Sequence, residues 1–206
     1  MSCDTVARVL AGYRSAAPGL IARFEALSSS QILAPVADLL PPPPGPALDI
    51  GAGTGRDAAW LARQGYRTRA VEPVEALCSA GQARHGEIVD WCDDRLPDLS
   101  VLRGAAQRYL LVLANGVLHH LPPADQITAI DSMACLLAPG GRAVLSLRHG
   151  PTPPDRPGFP VDTTALVRHV ERRGLTILRC RTGLASVQPE NRAAGVRTDW
   201  LCLSRE

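Results

Sequence analysis

The chain has 206 residues, 46% of them hydrophobic and 20% charged, with a formal net charge of +2, which suits one globular domain and is too balanced to bind nucleic acid or a membrane by electrostatics alone. No apolar run approaches the roughly 18 to 20 residues of a bilayer span, and the start MSCDTVARVLAGYRS lacks the basic segment, apolar stretch and small-residue cleavage site of a secretory signal, so the expectation is a soluble, cytoplasmic protein. All 22 basic residues are arginine, which excludes lysine Schiff bases and a P-loop lysine; the scattered cysteines Cys3, Cys78, Cys92, Cys135, Cys180 and Cys202 form no C-x-x-C pair, so they read as small, mostly buried apolar side chains with no metal site.

In chain order, two helices are predicted first, Cys3 to Tyr13 and Ile32 to Leu40, with a Ser-rich break at Ser28 to Ser30. The run PPPPGP, Pro41 to Pro46, is a connector, because proline fixes φ and removes a donor. Residues 1–46 therefore read as an N-terminal helical cap or lid on a core spanning 47–206. That core alternates apolar runs with helix-compatible segments. The runs are Ala47 to Ile50, Thr68 to Val71, Glu87 to Trp91, Tyr109 to Ala114 and Arg142 to Leu147. Between them DAAWLARQG, VEALCSAGQAR and ITAIDSMACLL repeat their apolar residues at three and four, with Gly65 and Gly140 where a helix would stop. A second proline-rich connector, PTPPDRPGFP at Pro151 to Pro160, precedes a helix from Thr163 to Arg173, stopped by Gly174. Strands at Leu175 to Cys180 and around Thr198 to Leu203 follow. The alternation predicts an α/β fold: a doubly wound, mostly parallel seven-stranded sheet with an antiparallel strand near the C-terminus and helices on both faces. Ligands of such sheets sit at the carboxyl ends of the strands, where strand order reverses.

The segment LDIGAGTGRDAAWLA, Leu48 to Ala62, carries the most chemistry. A strand holding Asp49 runs into a turn with Gly51, Ala52, Gly53 and Gly55, and a helix follows, so backbone can approach a ligand closely beside a helix N-terminus. A dinucleotide fingerprint would need its third glycine at position 56, which is Arg56.

The pattern D-x-G-x-G-x-G resembles the class I S-adenosylmethionine (SAM) dependent methyltransferases, and the resemblance continues in register from Leu48 to Leu147. It implies a Rossmann-like fold with SAM as cofactor. Glu72, before Pro73 in AVEP, stands where that family binds both ribose hydroxyls. Asp93 and Asp94 in WCDDRLPDL stand where it places an acid on the adenine amino group, Asp93 being favoured and Asp94 left open. Asn115 and Gly116 in ANGVLHHLPP fall where the family lines the methionine end of the cofactor, and LLAPGGRAVLSL resembles its turn into strand five. One departure is Leu110, where many relatives carry an acid near the start of strand four. The DNA-methylating motifs, Asn-Pro-Pro-aromatic or Asp-Pro-Pro-aromatic and Pro-Cys, are absent, so no DNA partner is expected.

Other residues invite both a functional and a plain reading. Asp57 sits in the first helical turn, where it suits a capping role. His119 and His120 are adjacent and would face different ways in a regular element, leaving His120 as the candidate near the substrate mouth. Arg148 and His149 follow strand five; a histidine there could take a proton and an arginine could hold an acidic substrate, or both could anchor the loop. Tyr13 and Phe24 line a lid or simply pack. With so little chain outside the core, the expected acceptor is a small molecule, walled by the N-terminal helices and by residues 148–161, a loop expected to be mobile without ligand. The reading is methyl transfer from SAM to an O, N, S or C nucleophile, with His120 or His149 for acid-base work. A non-catalytic SAM-fold scaffold and a nicotinamide-dependent oxidoreductase are the rivals. Monomer and homodimer fit the sequence equally.

Overall fold

Continuous apolar runs, whose successive side chains point to opposite faces, build central strands buried on both faces. The computed structural model describes residues 2–206, with side chains from residue 5 onward. Its strands are β1 (Pro46–Ile50), β2 (Arg67–Val71), β3 (Val89–Cys92), β4 (Tyr109–Asn115), β5 (Leu137–His149), β6 (Thr176–Ala185) and β7 (Arg197–Ser204). They form a seven-stranded sheet in the order β3-β2-β1-β4-β5-β7-β6. The pairs from β3 through to β5 are parallel, and β7 runs antiparallel to both β5 and β6. This is the expected fold class.

The helices are α1 (Ser2–Glu25), α2 (Ser29–Leu33), α3 (Arg56–Arg63), α4 (Glu75–His85), α5 (Ser100–Arg103), α6 (Pro123–Leu136), α7 (Thr163–Arg172) and α8 (Pro189–Ala193). On one face Leu48, Ile50, Val112, Ala114, Leu145 and Leu147 meet α6 and α7 through Ile130, Met133, Leu166 and Val170. On the other, Ala47, Leu111, Leu113 and Val144 meet Leu33, Val36 and Leu61 from the α2 region and α3. Adjacent residues of one strand thus enter opposite cores. Among the described residues no helix is long and apolar enough to cross a membrane.

Several boundaries differ from the expectation. The first helix continues to Glu25 through Pro18, beyond the expected end at Tyr13; its Ala17, Leu10, Ile21 and Phe24 pack against Val74 and Leu77 at the start of α4, and that burial outweighs the lost bond. The chain breaks at 26–28, which takes in only Ser28 of the three serines, and the predicted helix from Ile32 is α2 followed by a 3-10 turn over Ala34–Leu39. The strand expected from Glu87 begins at Val89, after a 3-10 turn. Helix α6 stops at Leu136, so Gly140 does not end it; Gly140 lies inside the long β5, at an irregularity in pairing with β4. Of the cysteines with described side chains only Cys202 is buried, and Cys135 and Cys180 are exposed. Leu110, in place of an acid, packs its side chain against Gly45.

One glycine fixes how α1 meets the proline-rich loop. A Cβ on Gly12 would stand 2.0 Å from the Asp155 carbonyl oxygen, whereas one on Gly19 would meet nothing within 4 Å. Helix propensity alone favours alanine over glycine by about 0.5–1 kcal/mol. Gly19→Ala is therefore expected to raise the melting temperature, and Gly12→Ala to lower it, because the clash with backbone costs about 1–3 kcal/mol. Thermal melts of the two variants side by side check the opposite signs.

Candidate active site

The strand order reverses between β1 and β4, and a cavity of about 410 Å³ opens there, over the carboxyl ends of β1, β2 and β4. Asp49, Asp57 and Glu72 gather around the glycine turn, with Arg56 paired to Asp57, and Arg148, Arg156, His119 and His120 stand on the side covered by α1 and the proline-rich loop.

On the acidic side the turn after β1 is held by Gly51 and Ala52 donating to the Val71 carbonyl, at 2.9 and 3.0 Å. Gly51 has a φ of +66°, and a Cβ there would lie 2.2 Å from a Val117 methyl, so glycine is obligatory. Gly53 and Ala52 also line the cavity. Gly55 does not: it is the αL residue before α3, and its missing Cβ leaves room for the Trp91 ring, 2.6 Å from where that carbon would be. The sequence reading of Gly55 as a ligand contact is thus corrected to a packing role.

Glu72 ends β2 with both carboxylate oxygens occupied by backbone: Gly53 N–H donates to Oε2 and Val74 N–H to Oε1, each at 2.8 Å. Burial raises its pKa to about 7, against these two stabilising bonds, with the Asp93 charge adding to the rise. Pro73 lines the cavity beside it. Of the two aspartates after β3, Asp94 is buried and lines the cavity, its oxygens accepting from Arg95 N–H at 2.9 Å and Leu102 N–H at 3.0 Å. Asp93 is exposed and outside the lining.

Asp49 and Asp57 form an asymmetric pair. Asp57 accepts from Ser29 Oγ at 2.6 Å, from Arg56 Nε at 2.9 Å and Nη2 at 2.8 Å, and from Asn115 Nδ2 at 2.9 Å. Burial would raise its pKa, but Arg56 and these hydrogen bonds prevail and hold it below the ordinary value. Asp57 is therefore an ionised hub in the cavity wall, a correction to the capping role. Asn115 in turn accepts from Ser146 Oγ at 2.6 Å. Asp49 Oδ2 is buried without a hydrogen-bond partner, and burial first, then repulsion from Asp57, push the Asp49 pKa well above the carboxylate range. Environment thus pushes two neighbouring carboxyls in opposite directions, Asp49 up and Asp57 down. Gly116, φ +70°, also lines the cavity, and a Cβ on it would meet nothing within 4 Å.

On the other side His119 and His120 lie in a 3-10 turn, Leu118–His120, which brings both rings to the cavity 3.9 Å apart, so adjacency does not separate them as expected. His120 Nδ1 lies 3.0 Å from the Pro157 carbonyl and Nε2 lies 2.9 Å from the Tyr13 hydroxyl. A carbonyl only accepts, so Nδ1 carries the proton, and Nε2 accepts from Tyr13. Burial lowers the His120 pKa, aided by Arg148 and Arg156, and raises that of Tyr13 to about 12. Both groups are neutral at pH 7. His119 is buried, with its pKa well below the ordinary value chiefly through burial.

Arg148 lines the cavity and donates to the Gly150 and Pro151 carbonyls at 3.4 and 2.6 Å, so it also anchors the loop. His149, its neighbour on the extended β5, faces away: its Nε2 lies 3.0 Å from Asp199 Oδ2, and it lines no part of the cavity. The expectation that His149 serves catalysis or substrate is corrected by strand alternation, since β5 continues to His149 instead of ending at Leu147. Phe24 joins the lining. The sequence reading missed Arg56, Ser146 and Arg156, and the apolar wall from β6 and β7 that includes Leu184 and Trp200. Only Arg156 left a signal, as a lone cation in a proline-rich stretch.

A family model described as a methyltransferase domain matches residues 23–179. No curated protein matches the chain significantly. Among solved structures, the fold is similar to a 1,6-didemethyltoxoflavin N1-methyltransferase from Burkholderia thailandensis with bound 1,6-didemethyltoxoflavin and S-adenosylhomocysteine (22% identity, 100% of this chain and 90% of that one, TM-score 0.75). It is also similar to the magnesium protoporphyrin IX methyltransferase of Synechocystis PCC 6803 with bound SAM (17% identity, 86% and 78% covered, TM-score 0.65). A third likeness is to a TehB-like SAM-dependent methyltransferase from Corynebacterium glutamicum (19% identity, 92% and 100% covered, TM-score 0.62). With the family model spanning most of the sequence and the fold similar over the whole chain, the chain belongs to the methyltransferase domain family, on the class I fold of SAM-dependent methyltransferases.

Proposed function

We propose that the cavity binds SAM and that the protein transfers its methyl group to a small-molecule acceptor in the cytoplasm. The observation that carries this reading is the acidic half of the cavity. Asp49 Oδ2 is an orphaned buried acceptor, and the ammonium of a methionine moiety supplies the missing donor; Glu72 retains lone pairs for two hydroxyls; Gly116, in the same lining, leaves open space. The residues present fit the cofactor. Asp49, Gly51, Ala52, Gly53, Glu72, Pro73, Asn115 and Gly116 would hold it, with Asp94 the carboxylate on the adenine side; the preference for Asp93 gives way because Asp93 is exposed outside the lining.

When bound, SAM supplies an activated methyl on a sulfonium, a good leaving group. The protein orients the acceptor, excludes water and receives the proton of an acceptor that attacks as a neutral nucleophile. His120 Nε2 is suited to that last step: it is an unprotonated acceptor held in one tautomer by Pro157, with Tyr13 hydrogen-bonded to it until an acceptor replaces the contact. Helix α1 and residues 148–161 act as the lid, joined by the Gly12 contact with Asp155 and by Arg156 over the Tyr13 ring, 5.4 Å from its centroid.

Calorimetric titration with SAM and S-adenosylhomocysteine tests the cofactor assignment: micromolar binding is expected, and no binding by folded protein would leave the scaffold reading instead. Once an acceptor is in hand, His120→Ala is expected to lower kcat by about 10²–10⁴-fold with little change in cofactor affinity. Tyr13→Phe, which removes only the hydroxyl, should cost much less. Steady-state kinetics and the same calorimetry separate the two effects.

A further inference from the structure

Resting on the methyl-transfer reading of the same cavity, we propose that its basic half is a subsite for an acceptor bearing a single carboxylate, received by Arg156 with Arg148 adding positive potential. Arg156 lies in the proline-rich loop, its side chain only 12% exposed, and lines the cavity. Its Nη1 is buried without a hydrogen-bond partner. The nearest carboxylate, Asp155, is 3.7 Å away and half exposed, a distance too long for a hydrogen bond. A buried guanidinium nitrogen left unpartnered costs free energy that an incoming anion would recover.

The neighbouring charges make the same distinction. The other cavity arginines near carboxylates are spoken for: Arg56 by Asp57 at 2.8 Å and Arg23 by Glu190 at 2.5 Å. Arg148 has no carboxylate partner among the described residues, and burial lowers its pKa. The acids of the lining stand around the glycine turn, so the potential between Tyr13, His119 and the two arginines is positive.

Donor supply argues for a carboxylate over a phosphate. Arg148 already donates to Gly150 and Pro151, which leaves Arg156 as the free donor beside Tyr13; Arg95, the remaining arginine of the lining, follows Asp94 in the chain. Val9, Leu10, Leu184 and Trp200 complete a wall that suits the apolar body of an organic monoanion. Such a body also places its nucleophile near His120, because Tyr13 both stacks under Arg156 and donates to His120.

The test uses benzoate and benzamide, which share a shape and differ in charge, titrated by NMR into the protein with and without saturating S-adenosylhomocysteine. Benzoate is expected to bind at least about tenfold more tightly than benzamide, and Arg156→Gln to abolish that preference while Arg156→Lys retains part of it. Both variants should bind S-adenosylhomocysteine as the parent does, which also shows that they fold. Equal binding of the two probes, or a preference unchanged in Arg156→Gln, overturns the subsite. Inorganic phosphate binding more tightly than benzoate at Arg156 overturns the choice of a carboxylate. Failure of S-adenosylhomocysteine to bind sinks the methyl-transfer reading alone, because the benzoate comparison in its absence still reports on Arg156.

Discussion

Replacing Asp57 with alanine is expected to destabilise the protein by about 3–5 kcal/mol, the cost of breaking a buried ion pair by removing one partner. The carboxylate accepts from Ser29, Arg56 and Asn115, and thereby ties α2, the first turn of α3 and the end of β4 together. Without it the Arg56 guanidinium, whose side chain is 16% exposed, keeps only its bond to the Phe24 carbonyl at 2.9 Å, Asn115 Nδ2 loses its acceptor, and Ser29 Oγ keeps only the longer bond to the Arg56 carbonyl at 3.4 Å. At about 2–4 °C per kcal/mol for a chain of this size, the melting temperature falls by roughly 6–20 °C. Asp57→Asn keeps the shape and one acceptor oxygen and should lose less. Because the network is buried, added salt should narrow the difference little. A thermal melt of Asp57→Ala within 2 °C of the parent, an approximate margin on the same scale, would remove the hub role.

How much of this was legible in the sequence depended on whether a feature is local in the chain. Strand β1, the glycine turn and Glu72 were readable because an apolar run, a positive-φ glycine and an acid at a strand end are each set by a few neighbouring residues. The sheet followed from alternation, down to the antiparallel β7. Contacts between distant residues were not readable. Asp57 meets Asn115 across 58 residues and Tyr13 meets His120 across 107, and no local pattern marks either pair. Where the strand ended also mattered: stopping β5 at Leu147 made Arg148 and His149 look equivalent, while its true extent sends one to the cavity and the other to Asp199. The third glycine misled for a related reason. Gly55 obeys the motif, yet what it accommodates is Trp91, from a different strand.

Glu72→Ala is expected to weaken SAM binding by at least about 100-fold, since two hydroxyl hydrogen bonds to a carboxylate are worth about 1.5–3 kcal/mol each. Loss of fold would not be the cause. With a folded-state pKa of about 7 against an ordinary 4.5, burying the charged Glu72 costs the cofactor-free protein about 3 kcal/mol above neutral pH. The sign follows from the raised pKa: the stability contributed by the proton is fully present below about pH 4.5 and is lost as pH rises through about 7. Alanine removes that penalty at pH 8 and, in exchange, strands Gly53 N–H and Val74 N–H at about 1–3 kcal/mol each, so the two terms nearly offset. The parent should also show a SAM affinity that rises with pH through about 7, because the ionised carboxylate is the better acceptor. In Glu72→Ala the part of that slope owed to Glu72 disappears. Calorimetry at pH 6 and pH 8, chosen as roughly one unit either side of that midpoint, measures that change. A variant that melts like the parent at pH 8 and still binds SAM as tightly would show that Glu72 holds only the backbone of the turn.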